Sequence, residues 1–243
     1  MSELSNYIDE YLKTEYTLKS TLKDSVQSSV YLYQKNDSAK QIVKISQKNR
    51  NDHVLRRLRG QLNKNTATIY EVCSNDDDVT ILEEYISGAT LGHIVEANGG
   101  TLKRELAVKY ALDICNGLVF IHSLGIIHRD IKPSNIIITE QGEAVIIDFG
   151  IARLTDDSKY ADTKNLGTAG YAAPEQFGIY QSGPVTDIYA VGVLLNELLL
   201  GVHPTIDTPK GKLGKVINKC IMAQMSKRYQ NVSELAEVLN KLL

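Results

Sequence analysis

The chain has 243 residues, of which 43% are apolar and 23% charged, and its formal net charge is −2. These values are typical of soluble globular proteins and allow one large domain or two lobes around a cleft. The near-neutral charge argues against nucleic-acid binding, and no run of about 18 apolar residues is present to span a membrane. Cys73, Cys115 and Cys220 lie far apart without CxxC spacing, which argues against a zinc site or a disulfide framework and favours a cytoplasmic protein.

The first part of the chain is predicted to be rich in strands. A short helix is expected over residues 1–20. Apolar spacing then predicts strands at about 30–33, 41–45, 69–72 and 79–82. Residues 52–62 are predicted to form a helix that buries one side, consisting of Val54, Leu55, Leu58 and Leu62.

After Ser87-Gly88 the pattern becomes helical. Helices are predicted at about 90–97, 102–123, 185–200, 212–224 and 233–242, with short strands at 136–138 and 144–147. The expected fold is therefore α+β and bilobal. Residues 1–86 would form a small β-rich N-lobe that begins with a helical extension over 1–20. Residues 87–243 would form a larger helical C-lobe, with a cleft crossed by residues 83–88.

Two segments of the second half carry side chains suited to phosphoryl transfer. The first runs from His128 to Asn135, and the second is the Asp-Phe-Gly triplet that begins at Asp148. This reaction requires a carboxylate that orients the attacking hydroxyl, oxygen ligands for Mg²⁺ and a cation that offsets the developing charge. Asp130, Asn135 with Asp148, and Lys132 supply these groups. The predicted strands between the two segments would bring them side by side.

These two segments resemble the catalytic loop and metal-binding triplet of eukaryotic-type (Hanks-type) Ser/Thr protein kinases, in a minimal, bacterial-like form. The resemblance covers about residues 22–240. It implies that Asp130 and Lys132 act in transfer from ATP to protein hydroxyls and that Asn135 and Asp148 bind Mg²⁺, with Mn²⁺ as an alternative. Lys132, two residues after Asp130, favours Ser/Thr over Tyr substrates.

The resemblance also assigns structural or regulatory positions, namely His128, Arg129, Phe149, Thr163, Thr168, Glu175, Asp187 and Arg228. Asp187 is implied to brace the catalytic loop, and Arg228 to pair with Glu175. Arg129 precedes the catalytic aspartate, an arrangement that implies control by phosphorylation of the activation segment. Thr163 is the first choice for that phosphate, ahead of Thr155 and Ser158. The alternative is a segment ordered by packing alone.

In the first half the resemblance implies a set of nucleotide contacts, namely Ser25, Ser28, Val30, Ile42, Lys44, Glu83, Glu84, Ile86 and Ile137. Lys44 would hold the α- and β-phosphates. The carbonyl of Glu84 and the N–H of Ile86 would meet the adenine edge. Val30 and Ile137 would enclose the ring.

The Gly-rich loop of the family is missing from this chain. Its three glycine positions fall at Lys23, Ser25 and Ser28. Glycine allows backbone N–H groups to approach phosphate closely. The two serine hydroxyls could replace part of this function, and Lys23 could offer a positive charge instead.

The acid that usually pairs with the strand lysine is also missing, since the predicted helix carries Arg56, Arg57 and Arg59 instead. We hypothesise that Glu83, at the back of the nucleotide pocket, pairs with Lys44. Two rival interpretations pair Glu83 with one of these arginines or turn it towards solvent.

Three functions are compatible with the sequence. The first is an active kinase whose partners are ATP and unidentified protein substrates, with neither nucleic acid nor membrane. The others are a pseudokinase or scaffold with weak or absent nucleotide binding, and a small-molecule phosphotransferase. The basic run from Arg50 to Arg59 is either a contact patch or a solvated helix face. The sequence does not indicate an oligomeric state.

Overall fold

The computed structural model describes residues 3–26, 28–48, 51–75, 77–156, 168–177 and 181–243. The chain divides into two compact units. The first contains residues 1–63 and 67–86, and the second contains residues 64–66 and 87–243. The sequence pattern placed residues 64–66 in the N-lobe, but Thr66 forms a β-bridge with Ile146 of the second unit. The fold is α+β, with a β-rich first unit and a helical second unit.

The first unit is built on one antiparallel sheet of five strands in the order β1-β2-β3-β5-β4. Its elements, in chain order, are α1 (Glu3–Glu15), β1 (Tyr16–Asp24), β2 (Ser28–Lys35), β3 (Gln41–Lys48), α2 (Asp52–Leu58), β4 (Ile69–Ser74) and β5 (Asp78–Glu84).

Helix α1 packs against one face of this sheet. Its Ile8 and Leu12 are buried, and together with Tyr16 they join an apolar cluster that includes Ile42 and Leu82. Full burial of an aliphatic side chain contributes roughly 1.5–3 kcal/mol. The cluster therefore fixes the position of α1 on the first unit.

Two boundaries in the first unit differ from the prediction. The helix expected over residues 1–20 ends early, because a strand begins at Tyr16 and pairs with β2. Helix α2 ends at Leu58, since Arg59 has an extended backbone and Gly60 has a φ of +73°. A left-handed glycine is a common helix stop. Leu62 consequently lies outside the helix and is 76% exposed, not buried.

The second unit contains most of the helices. Its elements are β6 (Gly88–Thr90), α3 (Leu91–Ala97), α4 (Arg104–Ser123), β7 (Ile126–Ile127), β8 (Ile136–Thr139), β9 (Ala144–Ile146), β10 (Arg153–Leu154), α5 (Pro184–Leu200), α6 (Lys212–Cys220) and α7 (Val232–Asn240). Helix α4 packs against α5 and α7, and α5 also packs against α6. No described helix combines the length and apolarity that crossing a membrane requires.

The hairpin of β8 and β9 brings the two predicted functional segments together. Ile136 pairs with Ile146 in this hairpin. Asn135 directly precedes β8, and the N–H of Ile147 donates to the carbonyl of Asn135 at 2.9 Å. The catalytic-loop segment and the triplet that begins at Asp148 therefore meet at one end of the hairpin.

Candidate active site

The carboxylate of Asp130 is held by three side chains. Its Oδ1 accepts a hydrogen bond from the Thr168 hydroxyl at 2.8 Å. Its Oδ2 accepts from Lys132 Nζ at 2.7 Å and from Asn135 Nδ2 at 2.9 Å. Lys132 Nζ also donates to Thr168 Oγ1 at 2.7 Å, which closes the network. Asp130 keeps 14% of its side chain exposed, so the carboxylate is fixed but accessible.

The loop that carries Asp130 is anchored from beneath by Asp187 of α5. This carboxylate is fully buried and accepts hydrogen bonds from the backbone N–H groups of His128 and Arg129 and from His122 Nε2, all within 2.9 Å. Burial by itself would raise the pKa of Asp187, but the hydrogen bond from His122 and those from the backbone outweigh it and lower the pKa. Asp187 is therefore an ionised anchor, as the resemblance implied.

Arg129 is held in an unusual backbone conformation, with a φ of +67°. Besides the bond to Asp187, its carbonyl accepts from Gln176 Nε2 at 2.9 Å, and its Nε donates to the carbonyl of Ile151 at 2.7 Å. Non-glycine residues with positive φ persist where their surroundings hold them firmly, often at functional sites. The predicted phosphate sites Thr163 and Ser158 lie outside the described residues, so phosphate control stays a prediction.

The triplet begins with a second strained residue, since Asp148 has a φ of +64°. Its side chain is exposed, and its Oδ1 accepts from the N–H of Gly150 at 2.9 Å. Phe149 is buried with its ring edge against the His128 ring, at a centroid distance of 5.2 Å. Burial lowers the pKa of His128 despite the carboxylates around it, so this imidazole packs as a neutral ring.

Glu175 and Arg228 form the ion pair that the resemblance implied. Arg228 Nη1 and Nη2 donate to the two carboxylate oxygens of Glu175 at 2.7 and 2.9 Å. Thr186 adds a third hydrogen bond to Glu175 at 2.8 Å. Burial would raise the pKa of Glu175, but the guanidinium of Arg228 more than compensates and lowers it.

The predicted nucleotide contacts of the first unit lie on two opposite faces of the sheet. Residues directly opposite each other on neighbouring strands share a face, and successive residues of one strand alternate. Val30 lies opposite Ile45, and Glu83 lies opposite Val43. Lys44 therefore points to the other face, where it lies between Tyr31 and Leu82.

The hypothesis of a Lys44–Glu83 pair is wrong. The register places Glu83 on the face opposite to Lys44. Lys44 instead forms an ion pair with Asp9 of helix α1. Ile42 lies on the same face as Lys44 and is buried in the cluster beneath α1.

The remaining predicted contacts occupy simple local environments. The hydroxyl of Ser25 donates to the carbonyl of Ser28 at 2.9 Å and so closes the turn between β1 and β2. Glu84 Oε2 accepts from the N–H of Thr68 at 3.2 Å. Ile86 and Ile137 are both partly exposed, the first at the end of the first unit and the second in β8. Their contacts with nucleotide stay predictions.

A cavity of about 440 Å³ lies in the first unit beside Lys44. Asp9, Ser25, Ser28, Lys48 and Asp78 also line it. Lys48 forms an ion pair with Asp78 at 2.9 Å. Each of the two lysines in this cavity therefore already has an aspartate partner.

Residues 14–243 match the family model of the protein kinase domain. The chain belongs to the protein kinase family. A probable serine/threonine-protein kinase of Clostridium perfringens is 32% identical over 223 residues, which are 79% of this chain and 32% of that protein. The probable serine/threonine-protein kinase PknB of Bifidobacterium longum is 40% identical over 154 residues, or 58% of this chain and 22% of that protein.

A plant protein, the calmodulin-binding receptor-like cytoplasmic kinase 2 of Arabidopsis thaliana, is 36% identical over 152 residues, or 60% of this chain and 37% of that protein. This kinase chain therefore spans about a third or less of the length of two of these relatives and slightly more of the third. Residues 3–13, most of helix α1, precede the part that matches the family model.

Three residues that hold the kinase site in place were not predicted from the sequence. His122 supports Asp187 from the last turn of α4, and Gln176 supports the backbone of Arg129. Asp9 holds Lys44 from a helix outside the family match. Neither His122 nor Asp9 belongs to a recognisable motif, whereas Gln176 directly follows the motif residue Glu175, which was a usable signal.

Proposed function

We propose that the protein is a cytoplasmic Ser/Thr protein kinase that transfers the γ-phosphoryl group of ATP to protein hydroxyls. The observation that carries this proposal is the Asp130 carboxylate, fixed by Lys132, Asn135 and Thr168 and still accessible. Phosphoryl transfer requires mainly positioning and electrostatic stabilisation, and this network supplies both.

Each residue of the network has a distinct task in this mechanism. Asp130 accepts the hydrogen bond of the substrate hydroxyl and receives its proton as the oxygen bonds to the γ-phosphorus. The bond between that phosphorus and the bridging oxygen of ADP breaks in the same transfer. Lys132 lies 2.7 Å from Asp130 and offsets the negative charge on the moving phosphoryl group. Thr168 and Asn135 hold the carboxylate in one orientation.

The donor set next to Asp130 fits a divalent cation. Asp148 presents an exposed carboxylate, and Asn135 contributes an amide oxygen, while its Nδ2 is already bonded to Asp130. Mg²⁺ prefers such oxygen ligands and commonly completes its shell with substrate phosphates and water. Asp148 and Asn135 would hold Mg²⁺, or Mn²⁺ in its place. Either ion, when bound, would neutralise negative charge on the phosphates.

A transfer assay with γ-labelled ATP and a Ser/Thr peptide mixture tests the proposal. The parent chain should label peptides in the presence of Mg²⁺, and chelation should stop the reaction. Asp148→Ala should abolish labelling, whereas Glu140→Gln, which removes an exposed carboxylate from the β8–β9 turn, should not. A folded parent that binds ATP but never labels peptide would contradict the proposal and favour the scaffold function.

A further inference from the structure

The register of β3 removes Lys44 from the side of the sheet that carries Val30 and Glu83. Reaching that side would require β3 to slip by one residue, which would move every buried side chain of the strand to the other face. Val43 and Ile42 are both buried, so such a slip would expose apolar surface and lose packing on both faces.

Helix α1 also keeps Lys44 in place. The ion pair with Asp9 is largely shielded, since the side chains of Lys44 and Asp9 are 13% and 31% exposed. Ile8 and Leu12 flank Asp9 along the helix and are buried against the sheet. Lys44 therefore has a structural partner that is held by apolar packing.

On the face of the sheet that carries Val30 and Glu83, strand β1 has another positively charged side chain. Lys23 lies directly opposite Val30 in the pairing of β1 with β2, so the two side chains share a face. Among the paired strand positions of the described sheet that share this face, Lys23 is the one with a positive charge. It is exposed and has no ion-pair partner within the described residues.

We propose that the nucleotide binds on the face that carries Val30 and Glu83, so that Lys23, not Lys44, is the lysine that contacts the phosphates of bound ATP. Lys44 instead anchors helix α1 through Asp9. The proposal rests on the kinase function proposed above and specifies how its nucleotide is held. Lys23 takes the place of the first glycine of the missing Gly-rich loop. A side-chain charge at that position replaces backbone N–H groups that a glycine would bring close to phosphate.

Three matched substitutions test this assignment, namely Lys23→Met, Lys44→Met and Lys35→Met. Each removes one ammonium group and keeps an apolar stem, and Lys35 of β2, which lies opposite Tyr16 on the other face of the sheet, is the control. Titration calorimetry gives the dissociation constant of Mg-ATP, and the transfer assay gives the KM for ATP. Lys23→Met should raise both constants by about 10-fold or more, as expected when a charged hydrogen bond is lost. Lys44→Met should raise them by less. Lys23→Arg should restore most of the affinity.

The role of Lys44 is read from melting temperature. Lys44→Met and Asp9→Asn should each lower the melting temperature. The double variant should lower it by less than the sum of the two single decreases, because both substitutions break the same interaction. A larger KM effect from Lys44→Met than from Lys23→Met would overturn the assignment and leave the kinase function intact. A parent that binds ATP without transferring phosphate would contradict the kinase function, while the binding titration would still decide between the lysines. A parent that binds no ATP would overturn both the assignment of Lys23 and the kinase function.

Discussion

Replacing Arg228 with alanine should destabilise the second unit strongly. Arg228 is 2% exposed and its partner Glu175 is 1% exposed. Besides the two bonds to Glu175, the guanidinium donates to the carbonyls of Val185 and Met222 at 3.0 and 2.8 Å. The substitution therefore leaves a buried carboxylate without its cation and removes the guanidinium donor from these two carbonyls.

Removing one member of a buried ion pair costs about 3–5 kcal/mol. The second unit has about 160 residues, and unfolding entropy is about 2.1 cal/mol/K per residue, so the melting temperature should fall by about 9–15 °C. Differential scanning calorimetry measures this shift. Arg104→Ala is the matched control, because that arginine is 46% exposed and should contribute less than about 1 kcal/mol.

A second variant separates the charge effect from general loss of packing. Glu175→Leu combined with Arg228→Met removes both charges and retains apolar volume, so it should cost less than Arg228→Ala alone. A melting temperature within 3 °C of the parent for Arg228→Ala would refute this reasoning. The reasoning would also be refuted if the double variant lowered the melting temperature by the sum of the decreases caused by its two single substitutions.

Three further outcomes are expected. The lowered pKa of Glu175 means that its stabilisation is complete above its ordinary value of about 4.3 and is lost as the pH falls through the folded value, so Glu175→Gln should flatten the acid limb of the melting-temperature profile. Gly88→Ala would place a Cβ 2.1 Å from a backbone carbonyl oxygen and should lower the melting temperature more than Gly92→Ala, whose Cβ would have its nearest contact at 3.5 Å. Thr168→Val should lower kcat about 10-fold or more, with Thr168→Ser close to the parent, because the hydroxyl orients Asp130.

A specific result would contradict each of these three predictions. An acid limb equally steep in the parent and Glu175→Gln would show that this carboxylate is not favourably ionised in the folded state. Equal melting temperatures for the two glycine variants would show that the backbone near Gly88 relaxes freely. An unchanged kcat for Thr168→Val would remove the hydroxyl from the positioning network.

The site of the second unit was largely predictable, because its side chains lie in short segments whose order reflects local geometry. Asp130, Lys132 and Asn135 fall within six residues, and one hairpin brings Asp148 to them. Their mutual hydrogen bonds follow from that proximity. The pairing of Glu175 with Arg228 spans a long sequence separation and was predicted only through resemblance to the family.

The first unit was predicted less well because side chains alternate across a strand with a period of two. A change of one residue in the pairing of β2 with β3 moves every side chain of β3 to the opposite face of the sheet. The number of residues between Val30 and Lys44 does not show which pairing the strands adopt. The contact of Asp9 with Lys44 joins positions 35 residues apart through helix packing. No local pattern in the first 15 residues indicates that contact.

The most direct test of Asp130 as the general base is the transfer rate of Asp130→Asn compared with the parent, measured with γ-labelled ATP and the same peptide mixture. Asparagine keeps the size of the side chain and its bond to Thr168, but it cannot accept the substrate proton. We expect a loss of at least 100-fold in kcat, on the order of a general-base contribution, with Mg-ATP affinity nearly unchanged. Transfer by Asp130→Asn at the parent rate would show that Asp130 is not the general base of this reaction.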